Sequence, residues 1–96
     1  MEIQFDTKRV ETGSGVNFYG TIDINGNIKQ VVCSATHEFL QDISRGSTSY
    51  IEIFENNFWT IEQIADDKLN SLLPVDLEKN PIKIQILSSD KEHYDF

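Results

Sequence analysis

Cys33 and His37 are the one pair of side chains in this chain whose types suit a nucleophile and its base. If Cys33 ends a strand and His37 opens a helix, the two lie close in space. The flanks argue for a duller role, since a cysteine in Val31-Val32-Cys33 behaves as a small hydrophobe packed on a strand. The remaining ligand inventory is thin. One cysteine, two histidines and scattered carboxylates show no His-x-x-x-His or Cys-x-x-Cys spacing, so no metal site is expected. Glu62, Asp66 and Asp67 diverge around a helix, where neighbours are separated by about 100 degrees, and read as a solvated face. Gly13-Ser14-Gly15 lacks the helix and lysine that complete a phosphate cradle and reads as a linker. No catalytic residue, cofactor or metal is therefore expected, and the chain reads as non-enzymatic.

Contact chemistry is the better prospect. Phe58-Trp59 sits on a helical stripe; with Phe58 on the stripe, Trp59 falls at its margin, where it either anchors an interface or seals the rim of the core. Tyr19, Val31 and Cys33 are expected on the second face of the sheet, making it partly apolar. Trp59, Tyr19 and Val31 are thus the candidate interface residues, for an unidentified protein partner or a second copy in a homodimer. Sixteen acidic against eight basic residues give a net charge of −8, which repels phosphate backbones and counts against direct nucleic-acid binding. The same charge suits a second reading, a small acidic inhibitor or immunity protein that occludes a basic site. A third is a small-ligand protein or enzyme with a pocket between helices and sheet.

These side chains need a scaffold. Ninety-six residues make one domain, because so short a chain cannot divide into two cores. Its N-terminus has neither a basic lead nor a secretory apolar run, and no segment approaches the roughly 20 apolar residues of a membrane span. With the lone Cys33 excluding an internal disulfide, the expected compartment is the cytoplasm. Ile3 and Phe5 read as a short first strand. Val16 to Asp23 is the second, with Val16, Phe18 and Ile22 on one face by the period of two. Asn25-Gly26 signals a hairpin. A two-residue turn opposes Ile22 to Lys29, whereas a three-residue loop opposes Ile22 to Ile28 and Phe18 to Val32; apolar matching favours the longer loop. Gly20 in mid-strand marks a bend or close packing by a helix.

After the third strand, roughly Ile28 to Ser34, Thr36 is placed to cap a short helix containing Phe39, Leu40 and Ile43. Arg45-Gly46-Ser47 ends it. One of Ser47, Thr48 and Ser49 then caps a long amphipathic helix, in which Tyr50, Phe54, Phe58, Ile61, Ala65, Leu69 and Leu72 recur at helical spacing up to Leu73. Pro74 closes that segment, and Pro81 opens the last strand, through Leu87. Residues 91–96 read as a mobile polar tail, with Tyr94 and Phe96 able to pack back. The order is β-β-β-α-α-β, an α+β domain with a short and a long helix on one face of an antiparallel sheet.

Laid out in this way, the residues resemble a family of small bacterial proteins catalogued as domain of unknown function 1488. The match runs through Ile3-x-Phe5, Val16-x-Phe18, then Cys33 followed by Thr36-x-Glu38-x-Leu40-x-Asp42. It continues with Phe54-x-x-Asn57-x-x-x-Ile61-x-x-x-Ala65-x-x-Lys68 and ends with Ile84-x-Ile86-x-Ser88-x-Asp90. The chain departs from the family pattern at Phe58, in place of a basic residue, and at Phe39, in place of a small one. The resemblance implies a bacterial or phage-borne cytoplasmic protein and supplies no activity.

Overall fold

The computed structural model describes all 96 residues. Strands β1 (Gln4–Glu11), β2 (Gly15–Ile24) and β3 (Asn27–Thr36) are followed by helices α1 (His37–Asp42), α2 (Tyr50–Asn56), α3 (Phe58–Asn70) and α4 (Pro74–Leu77), then by strand β4 (Ile82–Ile86) and a final 3-10 turn, Ser88–His93. The four strands form one sheet in the order β1-β2-β3-β4, and the class is α+β with helices packed on the sheet.

Turn chemistry decides the β2–β3 register. Asn25 and Gly26 adopt φ of 52° and 88°, the paired left-handed conformations of a two-residue hairpin turn whose twist matches the flanking strands. The Asp23 carboxylate accepts from the Gly26 N–H at 2.7 Å. Ile22 therefore opposes Lys29, and Phe18 opposes Cys33, in place of the three-residue loop expected from apolar matching. A slip of one residue exchanges the two faces of a strand. Val31 and Cys33, expected on the open face, are buried in the core at 1% and 0% exposure, while Ile28 is 65% exposed. Gly20 lies against β1, where a Cβ would stand 2.6 Å from Ile3 Cγ2 and 2.7 Å from the Gln4 carbonyl oxygen. The close approach that requires this glycine is made by a neighbouring strand, in place of the expected helix.

β1 is longer than the expected segment and irregular. Phe5 pairs with Gly20 and Arg9 with Phe18, so β1 spends more residues than β2 over that interval and bulges at Asp6 to Lys8. At the other edge the expectation of an all-antiparallel sheet is corrected. β4 runs parallel to β3, from Val31 opposite Ile82 to Ala35 opposite Ile86. The intervening helices cross one face and bring the chain back to the start of β3, where Lys29 Nζ donates to the Leu77 carbonyl; a strand laid down from that end must be parallel.

Thr36 caps α1 through Phe39 N–H at 3.2 Å, and Ser49 caps α2 through Glu52 N–H at 3.3 Å. The long helix is interrupted at Asn57, whose φ of −129° leaves the helical region. Its side-chain Nδ2 donates to the Ile53 carbonyl at 2.8 Å, taking the acceptor that a continuous helix would offer to the backbone. The stripe still holds: Phe54, Ile61, Ala65 and Leu69 are fully buried. The chain end packs back as well, with Phe96 edge-on to Phe39 at 5.5 Å and the Tyr94 hydroxyl donating to Asp67.

The register makes a testable distinction. Val31→Ala should cost about 2 kcal/mol, as buried large-to-small changes do, and Ile28→Ala should stay within about 0.5 kcal/mol. Urea unfolding midpoints of the two variants check this, and the opposite ranking would require the three-residue loop.

Candidate functional site

Cys33 and His37, the pair whose types suit a nucleophile and its base, have different surroundings. Cys33 is enclosed in the core, and burial, aided by the charges of Asp66 and Glu62, pushes its thiol from an ordinary 9.0 up to about 12. It is held protonated at neutral pH, which is the opposite of an activated thiolate. His37 instead stacks on Tyr50, ring centroids 4.0 Å apart, and its Nε2 is buried without a hydrogen-bond partner. The carboxylates of α3 likewise turn to different neighbours. Glu62 meets Arg9 at 3.5 Å, Asp66 accepts from the Ile3 N–H at 2.8 Å, and Asp67 takes the Tyr94 hydroxyl. No group of three or more histidine, cysteine or carboxylate side chains converges for a metal ion.

Trp59 stands apart from this internal bookkeeping. It is 79% exposed, more than any other large apolar side chain in the molecule. Its position follows from the interruption at Asn57: α3 restarts at Phe58, which half-buries against the core, and the next residue, about 100 degrees round the helix, points to solvent. The indole leans on the Phe58 ring at 5.7 Å with a tilt of 47°. Of the other two candidate residues, Tyr19 lies on the open face of the sheet, half-buried beneath Lys8, whose Nζ is 5.1 Å from the ring centroid. Val31 faces the core and offers no surface.

The sheet edge and the helices meet at one arginine. Arg9, at the bulge of β1, lies with its guanidinium 4.8 Å from the Phe54 ring centroid and reaches Glu55 on α2 at 3.1 Å and Glu62 on α3 at 3.5 Å. It also donates to the Asp6 carbonyl at 2.8 Å. One side chain thus ties the sheet edge to both helices across their break. Glu62 is three residues from Trp59 on α3 and shares its side of the helix. Burial chiefly, with Asp66 and Glu55 nearby, holds the Glu62 carboxyl above its ordinary value although Arg9 pulls it down. Asp66 is raised too, first by burial, against the lowering bond from Ile3. Neither residue was singled out as an interface group in the sequence, because only the fold brings Glu55 and Glu62 to one guanidinium.

A groove of about 380 Å³ runs between α3 and β4, lined by Ile64, Leu72, Ile84 and Tyr94 among others. Two of its charged groups pair within the molecule: Lys68 Nζ meets Asp90 at 2.7 Å, and Asp90 accepts from the Leu87 N–H at 2.8 Å. It is a seam that seats the chain end. No helix is long and apolar enough to cross a membrane.

The fold and surface define a small α+β domain whose mixed sheet carries helices on one face and whose helical layer presents a lone tryptophan. Comparison with protein-family models, with curated proteins and with solved structures returned no match.

Two outcomes follow. Arg9→Ala should destabilise by about 1–3 kcal/mol, since it strips the partner from partly buried carboxylates; thermal or urea unfolding measures it, and a change below about 0.5 kcal/mol would show that the clamp is idle. The Cys33 thiol binds its proton in the folded chain at pH values where the unfolded chain has lost it. Its contribution to stability is therefore full below about pH 9 and lost as pH rises towards about 12. Unfolding midpoints across that range should decline, and less steeply in Cys33→Ala, where the remaining slope includes Tyr94, raised to about 12 mainly by its bond to Asp67.

Proposed function

We propose that the chain is a non-enzymatic protein-binding or regulatory domain of the cytoplasm that acts through surface contact, with Trp59 as its anchor. The observation that carries this reading is the 79% exposure of Trp59 on an element clamped by Arg9. Tryptophan is enriched among the residues that dominate binding energy, and an anchor works best when its backbone is already rigid. Tyr19, on the opposite face of the sheet, lies too far round the fold to belong to the same contact.

A sharper form of the reading, an acidic inhibitor or immunity protein that occludes a basic site, is favoured by the net charge of −8 and by the carboxylates beside Trp59. The resemblance to the domain of unknown function 1488 family rests on the residues quoted for it and lends no activity to either form.

Affinity capture from native lysate at low and high salt, with wild type and Trp59→Ala side by side, tests the proposal. The expected result is a stoichiometric protein partner retained by wild type and lost by the variant, whose own stability should change by no more than about 0.5 kcal/mol. A partner held equally by both proteins would remove Trp59 from the contact.

A further inference from the structure

We infer that the Trp59 face receives an arginine-bearing basic segment of a partner protein; this rests on the protein-binding reading above and specifies the chemistry of the partner. The first ground is the pairing of surfaces. An exposed indole attracts a guanidinium over its ring, and the Glu62 carboxylate, within a turn of it, supplies a charge-assisted hydrogen bond to complete an arginine site. The second is charge. Arg9 alone meets both Glu55 and Glu62, two carboxylates against one guanidinium, so negative charge is left over. Glu55 is 48% exposed on its side chain and has capacity for a second cation.

The molecule already contains this arrangement one layer deeper. Arg9 lies over an aromatic ring, Phe54, while its guanidinium edge meets Glu55 and Glu62. Trp59, three residues before Glu62 on α3, is 79% exposed. A partner arginine would repeat the geometry from the solvent side, and its planar fork suits the task better than the point charge of lysine. A second copy of the chain is the poorer occupant, because placing two Trp59 faces together sets like carboxylates against one another.

The test uses the intact protein and two probes, a short arginine-rich peptide and its lysine counterpart of equal length and charge. Trp59 is the only tryptophan, so its fluorescence reports the site directly, and calorimetry covers the variants. The expected result is that the arginine peptide binds several-fold tighter than the lysine peptide and shifts the emission. Its affinity should fall about tenfold in Trp59→Ala and in Glu55→Gln/Glu62→Gln. The equal charge change Glu78→Gln/Glu92→Gln, at exposed remote positions, should leave it within about twofold. Circular dichroism and unfolding midpoints establish that each variant is folded, and Trp59→Ala tests the site without touching the Arg9 clamp.

Equal binding of the two peptides, or equal loss from the two glutamine pairs, would overturn the inference in favour of diffuse attraction. If wild type captures a lysate partner that Trp59→Ala loses, yet neither peptide binds, the arginine inference fails and the protein-binding reading survives. Self-association abolished by Trp59→Ala would equally overturn it, by making a second copy the occupant.

Discussion

Two adjacent residues in left-handed conformation, Asn25 and Gly26, set which half of β3 meets the helices. Their turn fixes the pairing of Ile22 with Lys29, and every later position in the hairpin follows from it. Matching Ile22 to Ile28 looks better locally, but it would turn Gln30 and Ser34 inward along with Ile28 and Val32. The observed register turns Val31, Cys33 and Ala35 inward, leaving one polar residue, Lys29, at the end of the set. Its long stem lets the ammonium reach the Leu77 carbonyl at the margin of the core. Turn geometry and the burial of the whole strand act together, and together they outweigh one exposed isoleucine.

That register also prepares the layer on which the helices sit. Phe18 on β2 packs against Phe5 and Phe54, with centroids 5.8 Å and 4.9 Å away. Phe54 in turn offers its ring to Arg9. The bulge of β1 sets Arg9 opposite Phe18, where a regular ladder continued from Phe5 and Gly20 would set Thr7. A guanidinium there is anchored by carbonyl and carboxylates, so its desolvation is offset, and it bridges the interruption at Asn57. Sheet, α2 and α3 are tied at one corner, and Trp59 stands on the first turn beyond it.

The sequence carried the periodic parts of this structure and concealed those decided by competition. Helical spacing from Tyr50 to Leu72, strand alternation in β2 and β4, and the caps at Thr36 and Ser49 are local signals, and each is realised. The break at Asn57 depends on whether one side-chain amide or one backbone N–H takes the Ile53 carbonyl, a contest between nearly equal partners that spacing does not register. The direction of β4 depends on which end of β3 the helices return to, a property of the assembled layer. Val31 escapes apolar matching because the match compares two pairs of residues, whereas the turn acts on ten. Trp59 was legible as marginal to the stripe; the groups that define its surroundings, Arg9, Glu55 and Glu62, come from three separate elements.

The lateral edges of the sheet bear on where a protein contact is best made. β1 is interrupted by its bulge, and β4 is five residues long with Lys83 exposed at its second position; both are devices that discourage strand addition. The helical layer carries no such protection at Trp59. Leaving most of an indole in water forgoes on the order of 3–4 kcal/mol of burial by area, an upper figure given the compactness of unfolded chains. Within this fold the energy cannot be recovered by a small rearrangement, because Phe58 already occupies the stripe and Arg9 holds α2 and α3 to the sheet. Under the proposed protein contact, that energy is released when a partner surface covers the ring, and Glu62, three residues along the helix, favours a basic one.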